Sequence, residues 1–288
     1  MKWYQAISSI DRRIIYLLLT LFIILPFFVP FKMHQNIMPQ TQKLFDFVES
    51  IPPDEKAVMI SFDYTPQTMP ETQPMAIALL KHCFARGIPV IGVSFDPQGP
   101  GLAVDAFATV AEEFNAEAKT HRDSIIYGED YVYLGWKSGF VAAILDMGES
   151  IAGVFPRDHF RNSIDSFPLM QHVKNYKEIA IAIILSGAAY PESWVLYAQS
   201  RYGVKIGAGL TAVMAPRYYP FLQTGQFSGM MSGMKGAAEY ENLIVQHGYT
   251  DKLGRAETGM NSQSMIHILI IVLIILGNIG YIFSRRKR

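Results

Sequence analysis

The chain has one cysteine, Cys83, in 288 residues, so no intrachain disulfide can hold it together. It is also poor in charge: 17% of residues are Asp, Glu, Lys or Arg, against roughly 25% in an ordinary soluble domain. Several chemical signatures are missing as well. There is no G-x-S-x-G nucleophile elbow and no G-x-x-x-x-G-K-[ST] phosphate loop. The seven histidines are scattered, with no H-E-x-x-H or C-x-x-C pair, so no metal site is assigned and no cofactor is expected. These absences exclude a disulfide scaffold and disfavour an α/β-hydrolase and phosphate cradling after the first strand.

What is present is apolar. Half of the residues are hydrophobic, and the excess sits at the two ends. Ile14 to Phe31 carries no charge and follows Lys2, Arg12 and Arg13. Met265 to Phe283 carries none either and precedes Arg285, Arg286, Lys287 and Arg288. Each run approaches the roughly 20 residues that a helix needs to cross a bilayer. Bulky Phe31, Lys32 and Met33 follow Pro26 and Pro30, where a cleaved signal peptide would show small residues, so the first run reads as an uncleaved signal-anchor. Basic flanks stay in the cytoplasm. The expected layout is a cytoplasmic tail (1–13), a span (14–31), a stalk (32–56) with a short helix around Lys43 to Glu49, an extracytoplasmic domain (57–248), a linker (249–264), a second span (265–283) and a basic cytoplasmic tail (284–288). This places the protein in the cell (inner) membrane with the bilayer as its first partner. The part between the tails is left with an acidic balance, which disfavours nucleic acid.

Between the runs, periodicity alternates. Ala57 to Tyr64, Pro89 to Phe95, Tyr131 to Trp136, Ile179 to Leu185 and Val204 to Met214 read as strands. Helical stripes separate them, with Cys83 on the buried side of its helix and His82 on the polar side. The succession predicts an α/β fold: a doubly wound, mostly parallel five-stranded sheet, Rossmann- or flavodoxin-like, flanked by N- and C-terminal transmembrane helices. In such sheets ligands bind beyond the carboxyl ends of the strands. That rule nominates Asp63, Tyr64, Asp96, Ser186, Gly187 and Tyr190 as ligand-binding residues, with turn capping as the alternative for the two aspartates. Gly207 and Gly209 form a G-x-G-x-x-A match, but Pro216 follows too soon for the required helix, so a closely packed strand of small residues is the reading.

A last helical region is expected from about Tyr218 to Val245. Gly225, Gly229, Gly233 and Gly236 would then share one helical face. Glycine disfavours a helix interior by about 1 kcal/mol per site, so four of them call for a close contact in return. That contact would be with another helix or subunit, as in small-xxx-small pairs, or with the domain's own sheet.

The segments ISFDYTPQTMPETQPMA, YVYLGWKSG, LSGAAYPESW and GMKGAAEYE together resemble a family of uncharacterised prokaryotic membrane proteins with an α/β domain between two terminal transmembrane helices. The resemblance covers most of residues 55–245. It implies a shared fold and a membrane anchor, and brings no activity or catalytic residue. Three functions follow as expectations. The first is a membrane-anchored assembly or binding component, a homo-oligomer that also meets other membrane proteins. The others are an extracytoplasmic hydrolase or transferase acting at the carboxyl edge of the sheet, and a small-ligand sensor.

Overall fold

A computed structural model describes residues 11–29, 36–53, 55–118, 124–252 and 254–285. Two compact units are present. One is residues 36–256, and the other holds the chain up to residue 35 and from residue 257 onward.

In the larger unit, helix α2 (Pro39–Glu49) precedes strand β1 (Ala57–Asp63), helix α3 (Met69–Ala85), β2 (Val90–Ser94), α4 (Gly99–Glu117) and β3 (Tyr131–Trp136). Short helices α5 (Phe140–Met147), α6 (Ile151–Val154) and α7 (Pro168–His172) lead to β4 (Ile179–Ser186). Then α8 (Tyr190–Ser193) continues through a π-helical turn, Trp194–Gln199, into α9 (Ser200–Tyr202). β5 (Lys205–Leu210), α10 (Ala215–Gln223), β6 (Phe227–Ser232) and α11 (Gly233–Gln246) complete the unit. The sheet has six strands in the order β3-β2-β1-β4-β5-β6, and every pairing is parallel. This is the Rossmann order, with its switch point between β1 and β4.

Parallel strands need cover on both faces, and their sequences show it: β1, β2 and the end of β4 are buried residue after residue. One face carries Met59, Val93, Ile184, Ala208 and Met230, packed with Trp194 and the helices between β3 and β6. The other lies under α2, α3, α4 and α11.

Three expectations are corrected here. The sheet has six strands, not five, because the stretch expected as one helix from Tyr218 to Val245 is helix, strand and helix. Gly225 (φ 75°) sits in the turn after α10, and Gly233 (φ 61°) turns the chain from β6 into α11. Gly229 lies in β6 opposite Gly207, and Gly236 lies within α11. The four glycines therefore share no helical face. A spacing of four serves a strand as well as a helix, and here the strand's period of two prevails.

The second correction concerns the stalk. Residues 39–49 form α2, and Leu44, Phe45 and Val48 are fully buried. A Cβ on Gly229 would stand 2.3 Å from the Leu44 backbone nitrogen, and one on Gly207 would stand 2.8 Å from Leu44 Cδ1. The bare glycine backbone is what lets α2 lie on β5 and β6. The close contact expected of Gly229 is thus an internal one. Thr41 Oγ1 donates to Glu239 Oε2 at 2.7 Å, and Lys235 pairs with the same buried carboxylate, tying α2 to α11.

His82 secures the other end of this helix layer. It is fully buried rather than on a polar face. Its Nε2 lies 2.8 Å from Glu49 Oε2, and its Nδ1 lies 2.8 Å from Tyr240 Oη. Phe45 stacks on the imidazole at 4.3 Å. Burial would raise the Glu49 carboxyl, but hydrogen bonds from His82 and Tyr249 and the Arg86 charge bring it below its usual value. The ionised carboxylate can only accept, so the imidazole proton belongs on Nε2 and Tyr240 donates to Nδ1. Burial also lowers the His82 pKa, against the pull of Glu49. Cys83 beside it is a core thiol, pushed up to about 12 by burial.

In the smaller unit, α1 (Arg12–Phe28) is a 17-residue helix with Asp11 capping its start through Arg13 N. Helix α12 (Arg255–Arg285) begins within the larger unit at Arg255. Its segment Arg255–Phe283 is long and apolar enough to cross a membrane. Ser262 Oγ of α12 donates to the Ile23 carbonyl of α1 at 3.0 Å. Lys2 and residues 286–288, on which part of the charge argument rests, lie outside the described residues.

Replacing Gly229 by Ile forces side-chain atoms into the Leu44 backbone. We expect a loss of at least about 1–3 kcal/mol in urea melts of the detergent-solubilised chain. Gly101→Ala, with open space around its Cβ inside α4, should be neutral or stabilising by up to about 1 kcal/mol. Equal effects would refute the packing role of Gly229.

His82 predicts a pH dependence of definite sign. The folded imidazole binds protons less readily than the unfolded one, so its contribution is complete above the unfolded pKa of about 6.5. It declines as pH falls from there and levels off below the lower folded value. The stability advantage of the parent over His82→Gln should therefore shrink on acidification below about pH 6.5. A difference that stays constant with pH would exclude His82 as the titrating group.

Candidate functional site at the strand switch point

The switch point between β1 and β4 brings Asp63 and Ser186 side by side, as register partners at the last residues of the two strands. Asp63 is 1% exposed. Its Oδ2 accepts from Ser61 Oγ at 2.6 Å, and Oδ1 accepts from Phe95 N at 2.6 Å and Asp96 N at 3.4 Å. The carboxyl thus fastens the end of β1 to the chain leaving β2. Burial raises its pKa to about 7, although each of these hydrogen bonds pulls the other way. Few carboxyls sit so near neutrality, and they gather at functional sites.

Asp96 is half-buried, and its own Oδ1 accepts from Gln98 N at 2.9 Å, a turn-capping bond. Tyr190 begins the helix after β4. Its hydroxyl is pushed up to about 12 by burial and by the neighbouring Asp96 and Asp63 charges. Ser186 Oγ accepts from Ala188 N at 2.9 Å, so the first free amide of that turn is already occupied. Gly187 passes close to α3: a Cβ there would stand 2.6 Å from Thr68 Cγ2. Asp63, Asp96, Ser186, Gly187 and Tyr190 therefore meet at one place.

Tyr64 does not join them. One position further along the strand, it points to the opposite face, where its buried hydroxyl donates to Gln73 Oε1. Gln73 in turn donates to Asp105 Oδ2 and to the Leu102 carbonyl, each at 3.1 Å. Tyr64 is a core residue joining β1, α3 and α4.

A residue that sequence reasoning passed over belongs here. Glu71, in the first turn of α3, accepts from Ala212 N at 2.7 Å, linking the start of α3 to the loop after β5. Nothing in the sequence pairs it with residue 212. With Glu71, Asp63 and Asp96, three carboxyls stand at this edge. The loop from Tyr64 to Thr68 has no glycine to let a phosphate approach its backbone. An anionic ligand is disfavoured on both counts.

Gly207 and Gly209 belong to β5, where they clear space for Leu44 Cδ1 and Met75 Sδ rather than for a dinucleotide. Among the described residues, no group of three or more His, Cys, Asp or Glu is arranged to hold a metal ion. Compared with known proteins, the chain matches no protein family, no curated protein and no solved structure.

The raised Asp63 pKa has a sign opposite to that of His82. The folded chain holds the Asp63 proton up to about pH 7, whereas the unfolded chain loses it near the ordinary value of 3.8. Stability therefore falls as pH rises through that window and is level above it. Asp63→Asn, measured against the parent by urea melts, should gain relative stability across the window and hold the gain above it, on the order of a few kcal/mol. A relative stability independent of pH would show that Asp63 titrates normally.

Proposed function

We propose that the protein is a membrane-anchored binding and assembly component, in which an extracytoplasmic α/β domain recognises a neutral or cationic group at the β1–β4 switch point. The observation that carries this reading is how the two strand ends are held. Asp63 and Ser186 are held by internal hydrogen bonds to Ser61, Phe95, Asp96 and Ala188. The Ser186 hydroxyl is engaged with the Ala188 backbone, an arrangement that suits recognition better than nucleophilic attack. The apolar helix that starts at Arg255 supplies an anchor. The second apolar helix and the basic tails support two spans with both termini inside. Two helices from each copy in one membrane favour homo-oligomers and contacts with other membrane proteins.

A second reading rests on Asp63 alone. A buried carboxyl with a pKa of about 7 beside a serine hydroxyl is poised for proton transfer near neutral pH, which supports an extracytoplasmic hydrolase or transferase at the same edge.

Cys83 is buried, so one added cysteine reports cleanly on the domain. Ser138→Cys, on an exposed turn, should react with a membrane-impermeant maleimide in intact cells once any outer envelope is permeabilised. Amine cross-linking of the same membranes should give multiples of the 32.4 kDa chain. Labelling only after the inner membrane is broken would refute the orientation, and monomers alone would refute self-assembly.

A further inference from the structure

Away from the switch point, the free edge of β3 carries a second constructed feature. The segment from Arg157 to Ser163 folds back on itself through an antiparallel bridge between those two residues. Asp158 N donates to the Asn162 carbonyl at 2.9 Å, and Asp158 Oδ1 accepts from Asn162 N at 2.7 Å. His159 N donates to the Tyr133 carbonyl at 3.1 Å, which fixes the loop to the strand edge. The reversal is tight enough to place Arg161 at φ 70°, the one side-chain-bearing residue with positive φ among the described residues. Strained backbone of this kind persists only where its surroundings hold it.

The loop displays Phe160, which is 54% exposed in an otherwise polar turn. Phe160 stands edge-on to Tyr127, with ring centres 5.5 Å apart and planes at 78°. Tyr127 stands at 84° to Tyr131, 5.2 Å away, and Phe107 stacks on Tyr131 at 4.9 Å. With Tyr133 these rings line a cavity of about 70 Å³.

The electrostatics of the cavity have one sign. No Lys or Arg lines it. Behind it, the Asp158 carboxylate is 5% exposed, and its Oδ2 accepts from the Tyr127 hydroxyl at 2.7 Å. Aromatic faces attract cations through their quadrupoles, and a buried negative charge beside one of the rings adds to that attraction. Anions are repelled. A primary ammonium brings three N–H donors that ring carbons satisfy poorly, whereas a fully methylated ammonium brings none. We propose that this cavity on the β3 edge is a binding site for a quaternary ammonium group. The choline headgroup of a phospholipid and a free trimethylammonium solute share that chemistry.

The full chain, solubilised in a maltoside detergent that contains no choline, can be titrated with choline and tetramethylammonium. Saturation transfer to the ligand's methyl protons reports binding, with 3,3-dimethylbutanol as the neutral isostere of choline. Both cations should bind, and the neutral alcohol should bind several-fold more weakly. Phe160→Ala, which removes an exposed ring and should leave melting unchanged, should weaken choline by at least about threefold. Displacement of choline by short-chain phosphatidylcholine assigns the site to a lipid headgroup, and undiminished choline binding assigns it to a free solute. Absence of cation binding, equal binding of the neutral isostere, or no effect of Phe160→Ala overturns the proposal.

Discussion

The contact on which the larger unit depends is the approach of α2 to the glycine surface of β5 and β6. A six-stranded parallel sheet must be covered on both faces, and no connection between its later strands covers this part of the α3 face. The segment that does so comes from before the first strand. It fits because Gly229 and Gly207 offer no side chain where Leu44 arrives. Once α2 is seated, Glu49 at its end reaches His82, and His82 reaches Tyr240, so three helices share one buried hydrogen-bond chain. Thr41 and Glu239 repeat the link at the other end.

The carboxyl edge of the sheet carries the site proposed for recognition. Asp63 is held there by the same logic in miniature, a buried polar group satisfied on every side except by charge. Desolvation wins over three hydrogen bonds and sets its pKa near neutrality. The residue therefore both stitches β1 to β2 and keeps a proton available beside Ser186. Asp96, by contrast, is half-buried and caps a turn through Gln98 N.

The alternation of apolar strands and amphipathic helices was legible because each parallel strand is buried throughout and each helix shows one apolar stripe. The strand-end rule located Asp63, Asp96, Ser186 and Tyr190 at one edge, because the carboxyl ends of parallel strands share that edge whatever the strand order. Tyr64 broke the rule for a simple reason: one step along a strand reverses the side-chain direction. His82 was misplaced because an imidazole reads as polar in sequence, while its partners Glu49 and Tyr240 lie far away along the chain. β6 was hidden because FSGMMS alternates too weakly to outweigh glycines spaced like a helix face.

By itself, the sequence determined the α/β class, the apolar helix at the carboxyl end and the impossibility of an intrachain disulfide. These follow from composition and local period, which neighbouring residues settle among themselves. Only the tertiary structure decided that Gly207 and Gly229 face α2, that residues 39–49 belong to the core, that Glu71 meets Ala212 and that Phe160 stands edge-on to Tyr127. Each of those outcomes depends on which surfaces are pressed together across long chain separations. A glycine, a glutamate or a phenylalanine carries no mark of its distant neighbour until packing brings the two into contact.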